Sequence, residues 1–277
     1  MKPNFMKTGM MVLAATFFLF TSCSKDESTD EPTNDTSVEL TAEDSKQAAE
    51  AEETADRVYD IVESAYVELE EGTRTESFFS DCVTITISSE NGVFFVTLDF
   101  GLGCELPNGN ILSGKINITY GPPQNGTVTI TYTLEDFTFN NKEVAGGATV
   151  YRQRENPAGN PESIVNKDLL ITFPNGLVVS VDAVKSFEWI EGVGSGTWMD
   201  NVYLVTGNRT IETNNGFSHY GIVVEPLRRE ATCQWFVSGT IEITRNGNMG
   251  VLDFGDGTCD NLATLTVNGN EITIVLN

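Results

Sequence analysis

From Cys82 to the C-terminus, apolar and polar residues alternate with a period of two. Val83, Ile85 and Ile87 interleave with Thr84, Thr86 and Ser88, and Val128, Ile130, Tyr132 and Leu134 with Thr127, Thr129, Thr131 and Thr133. Such alternation marks strands with one buried face and one wet, Thr-rich face. Seven Asn-Gly pairs punctuate the region: Asn91-Gly92, Asn108-Gly109, Asn125-Gly126, Asn175-Gly176, Asn215-Gly216, Asn246-Gly247 and Asn268-Gly269. Both residue types tolerate the positive φ that tight hairpins need. The pattern predicts about fourteen strands, mostly paired with their sequence neighbours. The expected fold is all-β with one N-terminal helix, its hairpin meander forming either a large curved sheet or a sandwich.

Between residues 41 and 72 the period is helical instead. Ala48, Ala51, Ala55, Val58, Val62, Ala65 and Leu69 step by three and four and share one stripe. Thr41 with Asp44 resembles a capping box, and Gly72 is a natural stop. The stripe is Ala-rich, so this amphipathic helix gains little from a coiled coil and is expected to pack on the sheet of its own chain.

Residues 1–22 read as an export signal. Lys2 and Lys7 precede an apolar run from Gly9 to Phe20, which is too short to span a bilayer core of about 30 Å. The run ends Leu19-Phe20-Thr21-Ser22-Cys23, which resembles a bacterial lipobox, with Phe20 where Leu is usual. The resemblance implies cleavage before Cys23, lipidation of Cys23 and anchoring by two or more acyl chains. Residues 23–40 are rich in Ser, Thr, Asp, Glu and Pro and read as a disordered acidic tether. Lys25-Asp26-Glu27, one residue beyond the Cys after Ser24, also resembles the surface-export tag of Bacteroidota lipoproteins. The expected location is therefore the outer membrane, lipid-anchored and facing the medium.

The β-rich domain, residues 75–277, contains an internal repeat that carries the other four cysteines. Cys82 and Cys104 flank the Asn91-Gly92 hairpin, and Cys233 and Cys259 flank the Asn246-Gly247 hairpin. A hairpin brings both of its flanking Cys to its open base. Of the three pairings four Cys allow, the repeat favours Cys82–Cys104 with Cys233–Cys259; the alternative links the two repeats across the domain. Asp99-Phe100-Gly101-Leu102-Gly103-Cys104, Ser113-Gly114-Lys115-Ile116 and Asp253-Phe254-Gly255-Asp256-Gly257-Thr258-Cys259 resemble elements of a group of uncharacterised Bacteroidota lipoproteins. That resemblance implies a fold and a surface location, but no activity.

Charge narrows the choice of partner. Sixteen Lys and Arg stand against forty Asp and Glu, giving a formal charge of −24 that repels nucleic acid and anionic lipid surfaces. The expected partners are the outer membrane, through the lipid, and a protein or glycan of unknown identity. Many of the acids lie in the tether and helix, where they are expected to serve solubility.

The chain offers little for catalysis. The one His, His219, alternates with Ser218 across a strand, so the two cannot pair as nucleophile and base, and His219 reads as a solvated strand residue. Asp253, Asp256, Asp260 and Asn261 crowd one Gly-bent loop, but without EF-hand spacing, and read as turn caps rather than a calcium site. Trp189, Trp198 and Trp235, with Tyr203 and Tyr220, are candidate ligand-binding aromatics if they share the wet face of the sheet; core packing is the commoner role. The sequence thus points to a non-enzymatic surface protein without a cofactor or metal, serving structure, adhesion or partner binding. A polysaccharide-binding lipoprotein and a carboxylate-dependent hydrolase are the alternatives.

Overall fold

The computed structural model describes residues 40–72 and 75–276. The export signal, Cys23, Lys25-Asp26-Glu27 and nearly all of the expected tether lie outside the described residues. Leu40, placed in that tether by its sequence context, is instead buried and lies over Gly250.

Helix α1 (Ala42–Tyr66) begins where the capping pattern places it: the Thr41 hydroxyl accepts the Asp44 N–H at 3.1 Å. Its last turn widens to π geometry over Val67–Glu71 and stops at Gly72, whose φ of 58° is left-handed. Fourteen strands are described, and antiparallel pairing joins them in one open sheet that does not close into a barrel. The first half contains β1 (Thr84–Glu90), β2 (Val93–Asp99), β3 (Cys104–Glu105), β4 (Ile111–Tyr120), β5 (Thr127–Phe139), β6 (Lys142–Gln153) and β7 (Glu162–Thr172). The second half contains β8 (Val178–Glu191), β9 (Val202–Thr213), β10 (Ser218–Glu230), β11 (Phe236–Arg245), β12 (Asn248–Asp256), β13 (Leu262–Val267) and β14 (Asn270–Val275). Spatial order follows chain order, except that the short β3 lies off the main path and pairs with the end of β4.

Four of the seven Asn-Gly pairs, at 91, 125, 246 and 268, have positive φ at both residues, as a two-residue hairpin turn requires. At 108, 175 and 215 only the Gly is left-handed. The β5–β6 turn is Asn140-Asn141, at 46° and 66°, a tight turn without glycine. The two disulfides are Cys82–Cys104 and Cys233–Cys259, each closing the base of its own hairpin. Closing loops of this size stabilises by roughly 3–4 kcal/mol in the chain-entropy account.

The sheet curls around α1. Nineteen of the helix's twenty-five residues are buried, which one apolar stripe cannot explain. Besides the Ala and Val positions, Glu50, Glu52, Glu53, Asp56, Arg57 and Glu63 are buried. The expectation that the helix acids serve solubility is therefore corrected. They face cations on inward-pointing positions of consecutive strands. Glu63 meets Arg152 on β6 at 2.9 Å, and Asp56 meets both Lys167 on β7 and Lys185 on β8. Glu52 meets Lys185 and Arg209 on β9, while Glu53 and Asp60 meet Arg229 on β10.

The sheet makes room for these long side chains with small neighbours. Ala183 lies between Lys167 and Arg209 in register, Gly207 lies opposite Lys185, and Gly221 lies opposite Arg209. A Cβ on Gly221 would sit 1.7 Å from an Arg209 guanidinium nitrogen.

Burial acts differently on the two lysines. It pushes Lys167, which has the single partner Asp56, down to about 8. Lys185 suffers the same burial, but Asp56 and Glu52 together outweigh it and hold its ammonium above the ordinary value. Burial would raise the Asp56 carboxyl, but Lys167, Lys185 and Arg229 hold it well below the usual range.

Removing one member leaves its partners buried without their counter-charge. Asp56→Ala is expected to destabilise the domain by about 3–5 kcal/mol in urea unfolding at pH 7, and the double change Asp56→Leu with Lys167→Met by markedly less. Equal losses for the two variants would show that the pairing is not what holds this layer.

Candidate functional site

Four loops gather at one side of α1 and form a crevice. They are the segment before β1, the Leu106–Asn110 turn, the Gly192–Asn201 loop between β8 and β9, and the stretch Ala231–Trp235 before β11. The first loop is tied to the helix end, where the Glu68 carboxylate accepts from Ser77 Oγ at 2.8 Å and from the Phe78 N–H at 2.6 Å. It is tied to the third by Thr75 N–H to Gly196 C=O at 2.8 Å, and the third to the fourth by Ala231 N–H to Asn201 C=O at 3.0 Å. Arg57 of α1 donates to the Cys233 carbonyl beside one disulfide, and the other disulfide holds Cys104 two residues before Leu106. Loops are otherwise the mobile part of a fold; here cross-links and backbone bonds fix them.

The deep end of the crevice is a cavity of about 20 Å³, lined by Arg57, Asp60, Ser64, Phe78, Asn201 and Tyr203, among others. Asn108 and Trp198 line both this cavity and an open crevice of about 460 Å³ bounded by Glu76, Ser77, Pro107, Met199 and Thr232. The charges at the deep end are mutually paired. Asp60 binds Arg57 at 3.4 Å and Arg229 at 2.9 Å, and Glu53 binds the same two guanidinium groups. Two acids and two arginines leave this wall without net charge. The Asn201 side chain is 3% exposed, and its Oδ1 has no hydrogen-bond partner among the described residues.

The three tryptophans form no exposed platform. Trp189, Trp198 and Trp235 are all buried. Trp189 stacks on Tyr203 at 5.8 Å, and Trp198 packs edge-on against Phe78 at 5.3 Å. Trp235 lies apart, in a crevice with Glu50, Thr54 and Lys142. Tyr203 is buried, whereas Tyr220 points outward and is 43% exposed. Of the candidate aromatics, only Trp198 and Tyr203 line the loop crevice.

In the acidic loop, each carboxylate caps its own turn. Asp253 accepts from Gly255 N–H at 2.8 Å, Asp256 from Thr258 N–H at 3.3 Å and Asp260 from Leu262 N–H at 2.9 Å. Among the described residues, no three His, Cys, Asp or Glu side chains gather in a metal-binding group.

His219 corrects the solvated reading. It is 3% exposed, packs against the Phe217 ring at 5.2 Å, and neither ring nitrogen has a hydrogen-bond partner among the described residues. Phe217, His219 and Gly221 share inward parity on the chain, and that parity was the overlooked signal. Burial, then the charges of Arg209 and Arg245, push the imidazole down to about 2.

No protein-family model, curated protein or solved structure matches the chain.

His219 makes stability depend on pH in a defined window. Unfolded, the imidazole takes up a proton below about pH 6.5; folded, it stays neutral down to about 2, so the unfolded state binds more protons and stability falls with pH. Between pH 6.5 and 5 the loss is expected to be about 2 kcal/mol. It should be absent in His219→Leu when denaturant midpoints of the two proteins are compared across that range. Parallel pH dependence in both would place the acid sensitivity elsewhere.

Proposed function

We propose that this chain is a lipid-anchored outer-membrane protein, held through Cys23 and facing the medium, whose β-domain has a non-catalytic binding role. The observation that carries the non-catalytic part is the commitment of its buried carboxylates. A carboxylate-dependent hydrolase needs two acids that reach substrate. Here Glu52 and Asp56 share Lys185, Glu53 and Asp60 share Arg229, and Glu63 holds Arg152, so the closely spaced acids fasten the helix to the sheet.

The binding part is supported by the loop crevice. A volume of about 460 Å³ falls in the range of small-ligand sites, and the loops that line it are rigidly tied. The location is supported by the lipobox-like Leu19-Phe20-Thr21-Ser22-Cys23 and by Lys25-Asp26-Glu27. A lipid on Cys23 would supply the attachment.

Protease shaving of intact cells tests the location. The domain is expected to be digested while a periplasmic control survives, and Cys23→Ser is expected to release the protein from the membrane fraction. Protection of the domain until the outer membrane is opened would place it in the periplasm and overturn surface exposure.

A further inference from the structure

We infer that one chloride-sized anion binds beneath the N-terminal half of α1, held by the Ser45 hydroxyl, an Arg209 guanidinium N–H and a His219 ring N–H. The site lies apart from the loop crevice, so the inference goes beyond the binding role proposed above and does not rest on it.

The first argument is charge. Lys167, Asp56, Lys185, Glu52 and Arg209 form one linked series of ion pairs, with three cations for two carboxylates. All five side chains are buried, so the surplus positive charge has little solvent to screen it. At one end of the series the Lys167 ammonium lies over the Phe187 ring at 4.9 Å. At the other end Arg209 meets Glu52 through Nε, while its Nη2 has no hydrogen-bond partner among the described residues. Next to it Arg245 faces Asp44 at 3.9 Å, a pair that adds no net charge.

The second argument is convergence of donors. The Arg209 guanidinium covers Gly221, where a Cβ would lie 1.7 Å from one of its nitrogens. His219 is two residues away on the same inward face of β10, about 7 Å along the strand. Its neutral ring carries one N–H, and neither ring nitrogen is bonded to a described residue. Ser45 is 1% exposed, and its Oγ likewise has no described partner. The helix brings this hydroxyl to the same place. Glu52, which holds Arg209, is two turns further along the same side of α1 as Ser45. Asp44, beside Ser45, faces Arg245, which the β10–β11 register sets opposite His219.

The third argument is space and ligand type. Between Ser45 and Glu52 the helix buries Ala48 and Ala49, which project only a methyl each. Three donors and one surplus charge suit a monovalent ion that accepts from any direction. A carboxylate or sulfate would bring further oxygens that need donors of their own. A water could meet the donors but would leave the charge uncompensated.

The test follows urea unfolding of the water-soluble Cys23→Ser chain at pH 7 and constant ionic strength, with sodium gluconate replaced stepwise by sodium chloride or bromide. The midpoint is expected to rise with the logarithm of halide concentration once the dissociation constant is passed. Ser45→Ala and His219→Leu each remove one donor, and each is expected to weaken halide binding about tenfold, moving that rise to correspondingly higher concentration. Two separate variants keep the comparison possible if one of them folds poorly. In bromide-soaked crystals an anomalous peak is expected between Ser45, Arg209 and His219. Equal midpoints in halide and gluconate would mean that water alone occupies the site, and would overturn the proposal. So would the same halide dependence in the parent chain and both variants, or bromide peaks confined to the surface.

Discussion

A helix whose apolar stripe is largely alanine cannot be held in the middle of a curled sheet by apolar burial alone. Alanine buries little area, and the stripe covers only one side. What fills the remaining contact is charge. Glu52, Asp56 and Glu63, spaced along α1, meet cations on four consecutive strands, β6 to β9, and the Glu53–Asp60 pair continues the series to β10. Desolvating so many ions is costly, and apolar substitutes of equal volume often serve stability as well. The ion pairs add position. Each cation has its acid at one height and one rotation of the helix, so a slip by one residue would bury several uncompensated charges at once. The small residues Ala183, Gly207 and Gly221 belong to the same constraint, because any larger side chain would occupy the space of Lys167, Lys185 or Arg209.

That constraint also explains what could be read from the chain and what could not. The strands, their order, the helix limits and the hairpin disulfides were legible because each is written locally. Alternation marks a strand, Asn-Gly a turn, Thr41 and Gly72 the helix ends, and flanking Cys a hairpin base. The helix acids were misread because helical spacing alone does not show that a second face is covered. The information lay on the other partner: Lys167 stands between Val165 and Leu169, and Lys185 between Ala183 and Phe187, each at the buried parity of its strand. In a chain with few cations, several at apolar parity require acids opposite them. His219, between Phe217 and Gly221, follows the same rule: the parity of its strand, not its residue type, buries it.

The loop crevice lay further from view. Its lining comes from segments more than a hundred residues apart, such as Asn108 and Thr232, brought together only once the sheet has curled. Trp198 was singled out as an aromatic, but Asn201, three residues on, carried no signal in sequence; an orphaned acceptor exists only in three dimensions. The Cys pairs were visible as hairpin staples. Their second effect, holding the neighbours of Leu106 and Thr232 in place at the crevice, depends on the same long-range closure.

The order of elements along the chain gives these features a mechanical logic. With an anchor at Cys23, a pull on the chain would enter the domain at Leu40, just before the cap of the buried helix, rather than at an edge of the sheet. An edge strand such as β1, exposed along its whole length, would peel one hydrogen bond at a time. Displacing α1 instead requires ion pairs on β6 through β10 to separate together. A charged helix buried at the end that an anchor on Cys23 would load thus converts a local pull into a cooperative one. The loop crevice is tied to the same helix through Arg57 and Glu68.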